Sequence, residues 1–159
     1  MTPKKKKILK IGAILLIAGL LIGGGTVLYM FNMPHRNVQS TSADYSIAAS
    51  QLVTEYLENP TKANDKYLAD DGDSKVLEIT GTVAKISEDF NGQKVVLLKS
   101  ETDKAGVNCT FTNETNQNVS NIKIGETLKI KGVIRSGASY DEDLGMYENV
   151  IVEKSDLIK

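Results

Sequence analysis

The stretch LEITGTVAKI, residues 77–86, decides the fold. Leu77, Ile79 and Val83 stand at alternate positions, with Glu78, Thr80 and Thr82 between them. That two-residue period marks a strand with one buried face. The inward position between Ile79 and Val83 holds Gly81, which packs nothing and weakens a strand. The pattern returns in LKIKGVI, where Leu128, Ile130, Gly132 and Ile134 share one parity. In a small closed barrel the first strand coils sharply to pair on both sides. A glycine at the bend removes a side chain where the walls come closest and permits a bulge. A bulge also explains why Val83 and Ile86, which are out of phase, both read as buried.

Working outward, the first strand is expected from about Lys75 to Glu88. Asn91-Gly92 in the following FNGQ is a strong hairpin turn. KVVLLKS, residues 94–100, reads as the second strand, and VNCTF, residues 107–111, as the third, with Val107, Cys109 and Phe111 on one face. TNETNQNVSNIKIG is an irregular polar connection, ETLKIKGVIRS the fourth strand, GASYDEDLG a loop and MYENVIVEK the fifth strand. Five strands with a long break between the third and fourth predict a mainly β protein, a five-stranded Greek-key barrel of the OB-fold type. An open sandwich is the alternative. Two short helices precede the barrel. Ala49, Leu52, Val53 and Tyr56 follow helical spacing. In NPTKANDKYLAD, Asn59 is a good N-cap, Pro60 suits the first turn, and Ala63 and Tyr67 share a face.

The N-terminus carries a different signal. The 159-residue chain has a formal net charge of −1, but Lys4, Lys5, Lys6, Lys7 and Lys10 precede the first acid, Asp44. From Pro34 onward, 14 basic residues face 20 acidic ones, the reverse of the balance in a polyanion binder. Ile11–Phe31 is 21 residues without a charge. As a helix it would span roughly 31 Å, the thickness of a bilayer core. Lysines before it and acids after it predict an N-terminus inside and a domain outside. The expected localisation is therefore the cytoplasmic (inner) membrane, single-pass, with the C-terminal domain periplasmic. A cleaved signal peptide would have a shorter apolar run and a small-x-small site, which YMFNMP lacks. Lipoprotein processing has no cysteine to use, since Cys109 lies far downstream. Gly19 and Gly23 form a GxxxG pair, a face on which two such helices could pack as a homodimer. The organisation read from this is a basic segment 1–10, a transmembrane helix 11–31, a flexible stem 32–46 and a helical lead-in plus barrel over 47–159.

ANDKYLADDGDSKVLEITGTVAKI, VNCTF, IKIGETLKIKGVI and ENVIVEKS together resemble the bacterial tRNA_anti-like family of OB-fold proteins. The resemblance covers about residues 47–154. Its most specific elements are the AND-KY lead-in, the V-x-C-x-F strand and the G-x-x-L-x-I-K-G strand. It implies an OB barrel and a binding role, and the family's name records a likeness to tRNA anticodon-binding domains. Relatives carry a helix between the third and fourth strands. TNETNQNVSN is poor in helix formers, so no regular helix is expected there.

Catalysis needs converging reactive groups, and none are apparent. His35, the only histidine, lies in the stem. Cys109 alternates with apolar residues and reads as a core thiol; a single cysteine also leaves no intramolecular disulfide. Asp70–Asp73 and Asp141–Asp143 lack the ligand ladder of a calcium loop and read as acidic turns. Ser120 and Lys123 match S-x-x-K without supporting motifs. Asn108, Asn113 and Asn118 begin N-x-S/T sequons, which would matter only in a eukaryotic chain. The reading is a non-enzymatic binding module with no cofactor or metal.

OB barrels bind on the second and third strands and neighbouring loops. The residues assigned to that face are Phe90, Lys94, Lys99, Asn108 and Thr110. Lys129, Lys131 and Arg135 point outward on the fourth strand as edge protection. With one candidate stacking ring and an acidic domain, nucleic acid is an unlikely partner. The expected partner is a protein, peptide or glycan of the cell envelope; a single-stranded nucleic-acid-binding domain is the alternative.

Overall fold

A computed structural model describes residues 3–31, 37–69 and 73–158. It divides into two units, Met1–Arg36 and Asn37–Lys159. The first contains one helix, α1 (Pro3–Phe31). Side chains of the lysine run lie outside the described residues, as does His35. Among the described residues, no helix is long and apolar enough to cross a membrane, so the transmembrane reading of 11–31 is not carried by the structure. A Cβ added at Gly19 or Gly23 would meet no atom within 4 Å.

The second unit is the barrel. Its elements are β1 (Tyr45–Ala48), α2 (Ala49–Glu58), α3 (Pro60–Tyr67), β2 (Val76–Glu88), β3 (Lys94–Leu98), β4 (Val107–Phe111), a 3-10 turn at Asn116–Val119, β5 (Thr127–Ser136), β6 (Ser139–Asp141), β7 (Met146–Glu148) and β8 (Val150–Leu157). The main sheet runs β1-β2-β3-β4-β8-β5 and closes through a β2–β5 pairing. β4 and β8 are parallel; the other barrel pairs are antiparallel. This is the expected closed five-stranded barrel, with β2, β3, β4, β5 and β8 as its staves.

The two glycines sit where space is shortest. A Cβ at Gly81 would stand 2.9 Å from the Cβ of Ala49 and 3.0 Å from the Cβ of Leu98. At Gly132 it would stand 2.5 Å from Val152 Cγ1. The β2 register shifts between Val83 and Lys85, which turns Ile86 toward the core, and the β5 register shifts across Gly132. Bulges of this kind give a short strand the coil that closure demands.

The helices cover one end of the barrel. Ala49, Leu52, Val53 and Tyr56 are buried, as their spacing requires. Asn59 Oδ1 accepts the backbone N–H of Lys62 at 3.0 Å, and Pro60 opens α3. Ala63 and Tyr67 face inward. The AND-KY motif therefore builds a clamp. Lys66 Nζ and Tyr67 Oη both donate to Glu55 Oε2 at 2.8 Å, and Lys66 lies 4.6 Å from the Tyr67 ring centroid.

Three sequence expectations need correction. Residues 37–46 are not a loose stem: Val38 is 2% exposed, Gln39 Nε2 donates to Lys154 O, and Asp44 exchanges hydrogen bonds with Val76. Tyr45–Ala48 then pairs in parallel with Leu77–Thr80, taking the part of the β2 edge that β3 does not reach. GASYDEDLG is not a plain loop, and Met146–Glu148 is not part of the fifth strand. Ser139–Asp141 and Met146–Glu148 pair as a separate hairpin, and the last barrel strand starts at Val150. The β4–β5 connection carries only the one 3-10 turn, in keeping with its poor helix formers.

Candidate functional site

The outer face of β2, β3, β4 and β8 follows from register. Lys85, Leu97, Asn108 and Ile151 are neighbours in one row, and Ser87, Val95 and Thr110 in the next. Val95, Leu97, Asn108 and Thr110 are half-buried, and Ile151 is exposed. Their inward counterparts Val96, Leu98, Val107, Cys109 and Phe111 form the core. The result is a shallow face, apolar at Val95, Leu97 and Ile151, amide and hydroxyl at Asn108 and Thr110, with Lys85 and Ser87 along one side.

Of the residues assigned from sequence, Asn108 and Thr110 stand together here. Phe90 is fully exposed in the β2–β3 turn, where Asp89 Oδ1 accepts the N–H groups of Asn91 and Gln93. Lys99 follows the end of β3 with the parity of Leu97, and its Nζ donates to Lys104 O at 3.4 Å. Lys94 is not on the face. It has the parity of Val96 and lies 3.8 Å from Glu88, because a strand turns successive side chains to opposite sides. Lys129 pairs with Glu78 at 3.7 Å, and Lys131 donates to Gln39 O.

Sequence reasoning missed Val95, Leu97 and Ile151, since KVVLLKS is apolar on both parities. It also missed Tyr140 and Tyr147. These rings lie 4.8 Å apart on the β6–β7 hairpin, which runs directly into β8, with Lys104 Nζ 5.5 Å from the Tyr147 ring. A signal was present: SYD and MYE are separated by four residues ending in Gly145, a hairpin spacing, and Gly145 has φ +63°.

Reactive chemistry is not assembled by the described residues. Cys109 is fully buried, and burial pushes its thiol up to about 12, so it stays protonated at neutral pH. Ser120 Oγ donates to Asn116 O, and Lys123 is held through its backbone N–H by Glu126. Asp141 Oδ1 accepts the N–H groups of Asp143 and Leu144, which is turn chemistry. Among the described residues, no group of three or more His, Cys, Asp or Glu side chains could hold a metal. Asp70, Asp71 and Gly72 lie outside them.

The tRNA_anti-like family model matches residues 1–142. The chain belongs to the tRNA_anti-like family. The match takes in β1, four of the five barrel staves (β2, β3, β4 and β5), β6 and the AND-KY clamp. A crystal structure from Klebsiella pneumoniae subsp. pneumoniae, of a protein called a "putative nucleic acid-binding lipoprotein", superposes with a TM-score of 0.52 at 16% identity, covering 80% of this chain and 100% of that one. At that identity the likeness is one of fold. No functionally curated protein matches the chain.

Proposed function

We propose that this tRNA_anti-like protein is a non-catalytic binding module held at the outer side of the cytoplasmic membrane by α1, where its barrel face contacts a protein, peptide or glycan of the envelope. One observation carries the reading: the register of β2, β3, β4 and β8 lines the face with Val95, Leu97, Ile151, Asn108 and Thr110, and only Lys85 and Lys99 bring positive charge to it. Single-strand binders combine a basic groove with several stacking rings. An apolar strip with amide and hydroxyl partners suits a neutral, hydrogen-bonding ligand instead. The uncharged run Ile11–Phe31 and the lysines before it support the membrane part of this reading. Cys109 is a core residue, and its buried thiol is not placed to carry a lipid.

The name of the Klebsiella protein favours the second reading, a single-stranded nucleic-acid binder. One experiment separates them. Reporters active only outside, or fluorescent only inside, the cytoplasm are fused after Lys159, and the full chain is titrated with a labelled single-stranded oligonucleotide at about 150 mM salt. An external domain without oligonucleotide binding is expected. An internal domain, or salt-sensitive oligonucleotide binding lost in Lys85→Glu, would overturn the proposal in favour of nucleic acid.

A further inference from the structure

The β6–β7 hairpin is an element that the barrel does not need for closure. Its two strands form a sheet of their own; α2 packs against β6, and the outer edge of β7 has no strand partner among the described residues. Such an edge is a template for another extended chain. The hairpin is also well braced. The Asp141 carboxylate fixes the turn, Ser139 Oγ donates to Glu148, and the Tyr140 and Tyr147 rings lean together across the strands.

Its chemistry is one-sided. From Gly137 to Glu153 there are five acids and no lysine or arginine. No ion pair among the described residues engages Asp141, Glu142, Asp143 or Glu148. Between the acids stand large apolar side chains, with Tyr140 51%, Leu144 70% and Met146 55% exposed. The Tyr147 ring already faces a cation, Lys104 Nζ, at 5.5 Å.

We propose that this hairpin docks an extended peptide segment bearing lysine or arginine, by strand addition to its open edge. The backbone edge selects an extended chain, the acids select its positive side chains, and Tyr140, Leu144 and Met146 cover its aliphatic ones. Nucleic acid and anionic lipid are both disfavoured by the same five carboxylates. The proposal rests on the reading of the chain as a binding module and names a partner class for a site next to the barrel face.

The test uses the full chain in non-ionic detergent and a fluorescein-labelled, amidated Lys-Val-Lys-Val-Lys peptide, followed by anisotropy. Binding is expected to weaken at least about tenfold between about 50 mM and about 300 mM NaCl, as the charge pairs are screened. The combined variant Glu142→Gln, Asp143→Asn, Glu148→Gln keeps the Asp141 turn and should bind about tenfold more weakly at low salt. A Glu-Val-Glu-Val-Glu peptide should not bind. The lysine peptide N-methylated at alternate amides, which retains its charge but not its strand-pairing groups, should also lose about tenfold. Equal binding by the triple variant, or by the methylated peptide, would overturn docking at this edge. If Leu97→Ser abolished binding while the triple variant did not, the peptide would belong on the barrel face. That result ends the hairpin proposal and leaves the module reading standing.

Discussion

Replacing Gly81 by alanine asks whether the barrel wall has room for one methyl. The added Cβ would lie 2.9 Å from Ala49 Cβ and 3.0 Å from Leu98 Cβ. Neither neighbour can swing away, because a Cβ moves only with its backbone. β2 must therefore shift against α2 and β3 by several tenths of an ångström. Overpacking of this kind costs about 1–3 kcal/mol, and two backbone-fixed contacts at 2.9 and 3.0 Å put this case in the upper part, about 2–3 kcal/mol. Alanine returns roughly 0.5–1 kcal/mol by restricting the unfolded chain, which leaves about 1–2 kcal/mol of net destabilisation. For a barrel unit of about 120 residues, each kcal/mol moves Tm by about 4 °C. The expected loss is thus about 4–8 °C, read by circular dichroism on melting, and Gly81→Val should lose more. Thr82→Ala, one position along on the exposed side of β2, should change little. Adding Ala49→Gly to Gly81→Ala should recover about 1 kcal/mol relative to additivity, since it removes the tighter contact. A Gly81→Ala melt within about 2 °C of the parent would refute the argument, because it would mean that the walls do not meet at this residue.

Three further outcomes are expected. Tyr56 is 1% exposed, and its hydroxyl is the one buried side-chain polar atom without a partner among the described residues; Tyr56→Phe should be neutral or stabilising by about 1 kcal/mol, and a Tm fall beyond about 4 °C would show that the hydroxyl is satisfied. Burial opposes the charged form of Glu55, but hydrogen bonds from Lys66 and Tyr67 outweigh it and hold its carboxyl below the usual value. A lowered carboxyl stabilises the fold above its unfolded pKa, and that contribution is lost as pH falls through the folded one. Glu55→Gln should therefore flatten the decline of Tm below about pH 4.5; an unchanged acid limb would count against the clamp. Lys154 has φ +52° in β8, a conformation that strains a residue with a side chain. Lys154→Gly should raise stability by about 0.5–1 kcal/mol in urea titration, and a lower midpoint would contradict that assignment.

Much of the barrel was legible because its information is local. Alternation in LEITGTVAKI and VNCTF, the Asn91-Gly92 turn and the Asn59 cap each specify a conformation over a few residues. Gly81 and Gly132 added a longer-range inference, since a glycine on a buried parity implies a neighbour too close for a side chain. The candidate site was less legible. Assigning Lys94 to the ligand face required knowing which parity of β3 faces out, and Lys94 and Lys99, being of opposite parity, cannot share a face. Val95 and Leu97 were hidden in a run that is apolar on both parities.

The sequence by itself determined the five staves of the barrel, the two short helices before them with the Asn59 cap, the core parity of Cys109 and Phe111, and the family resemblance through AND-KY, V-x-C-x-F and G-x-x-L-x-I-K-G. Each is written in spacing along the chain. Only the tertiary structure decided that Tyr45–Ala48 is a strand, because its partner Leu77–Thr80 begins 32 residues later and four residues carry no period of their own. It alone brought Glu55, Lys66 and Tyr67 onto one carboxylate oxygen, and set the Tyr140–Tyr147 hairpin apart from the barrel. Those features arise from which segments meet in space, and pairing between distant segments leaves no local pattern to read.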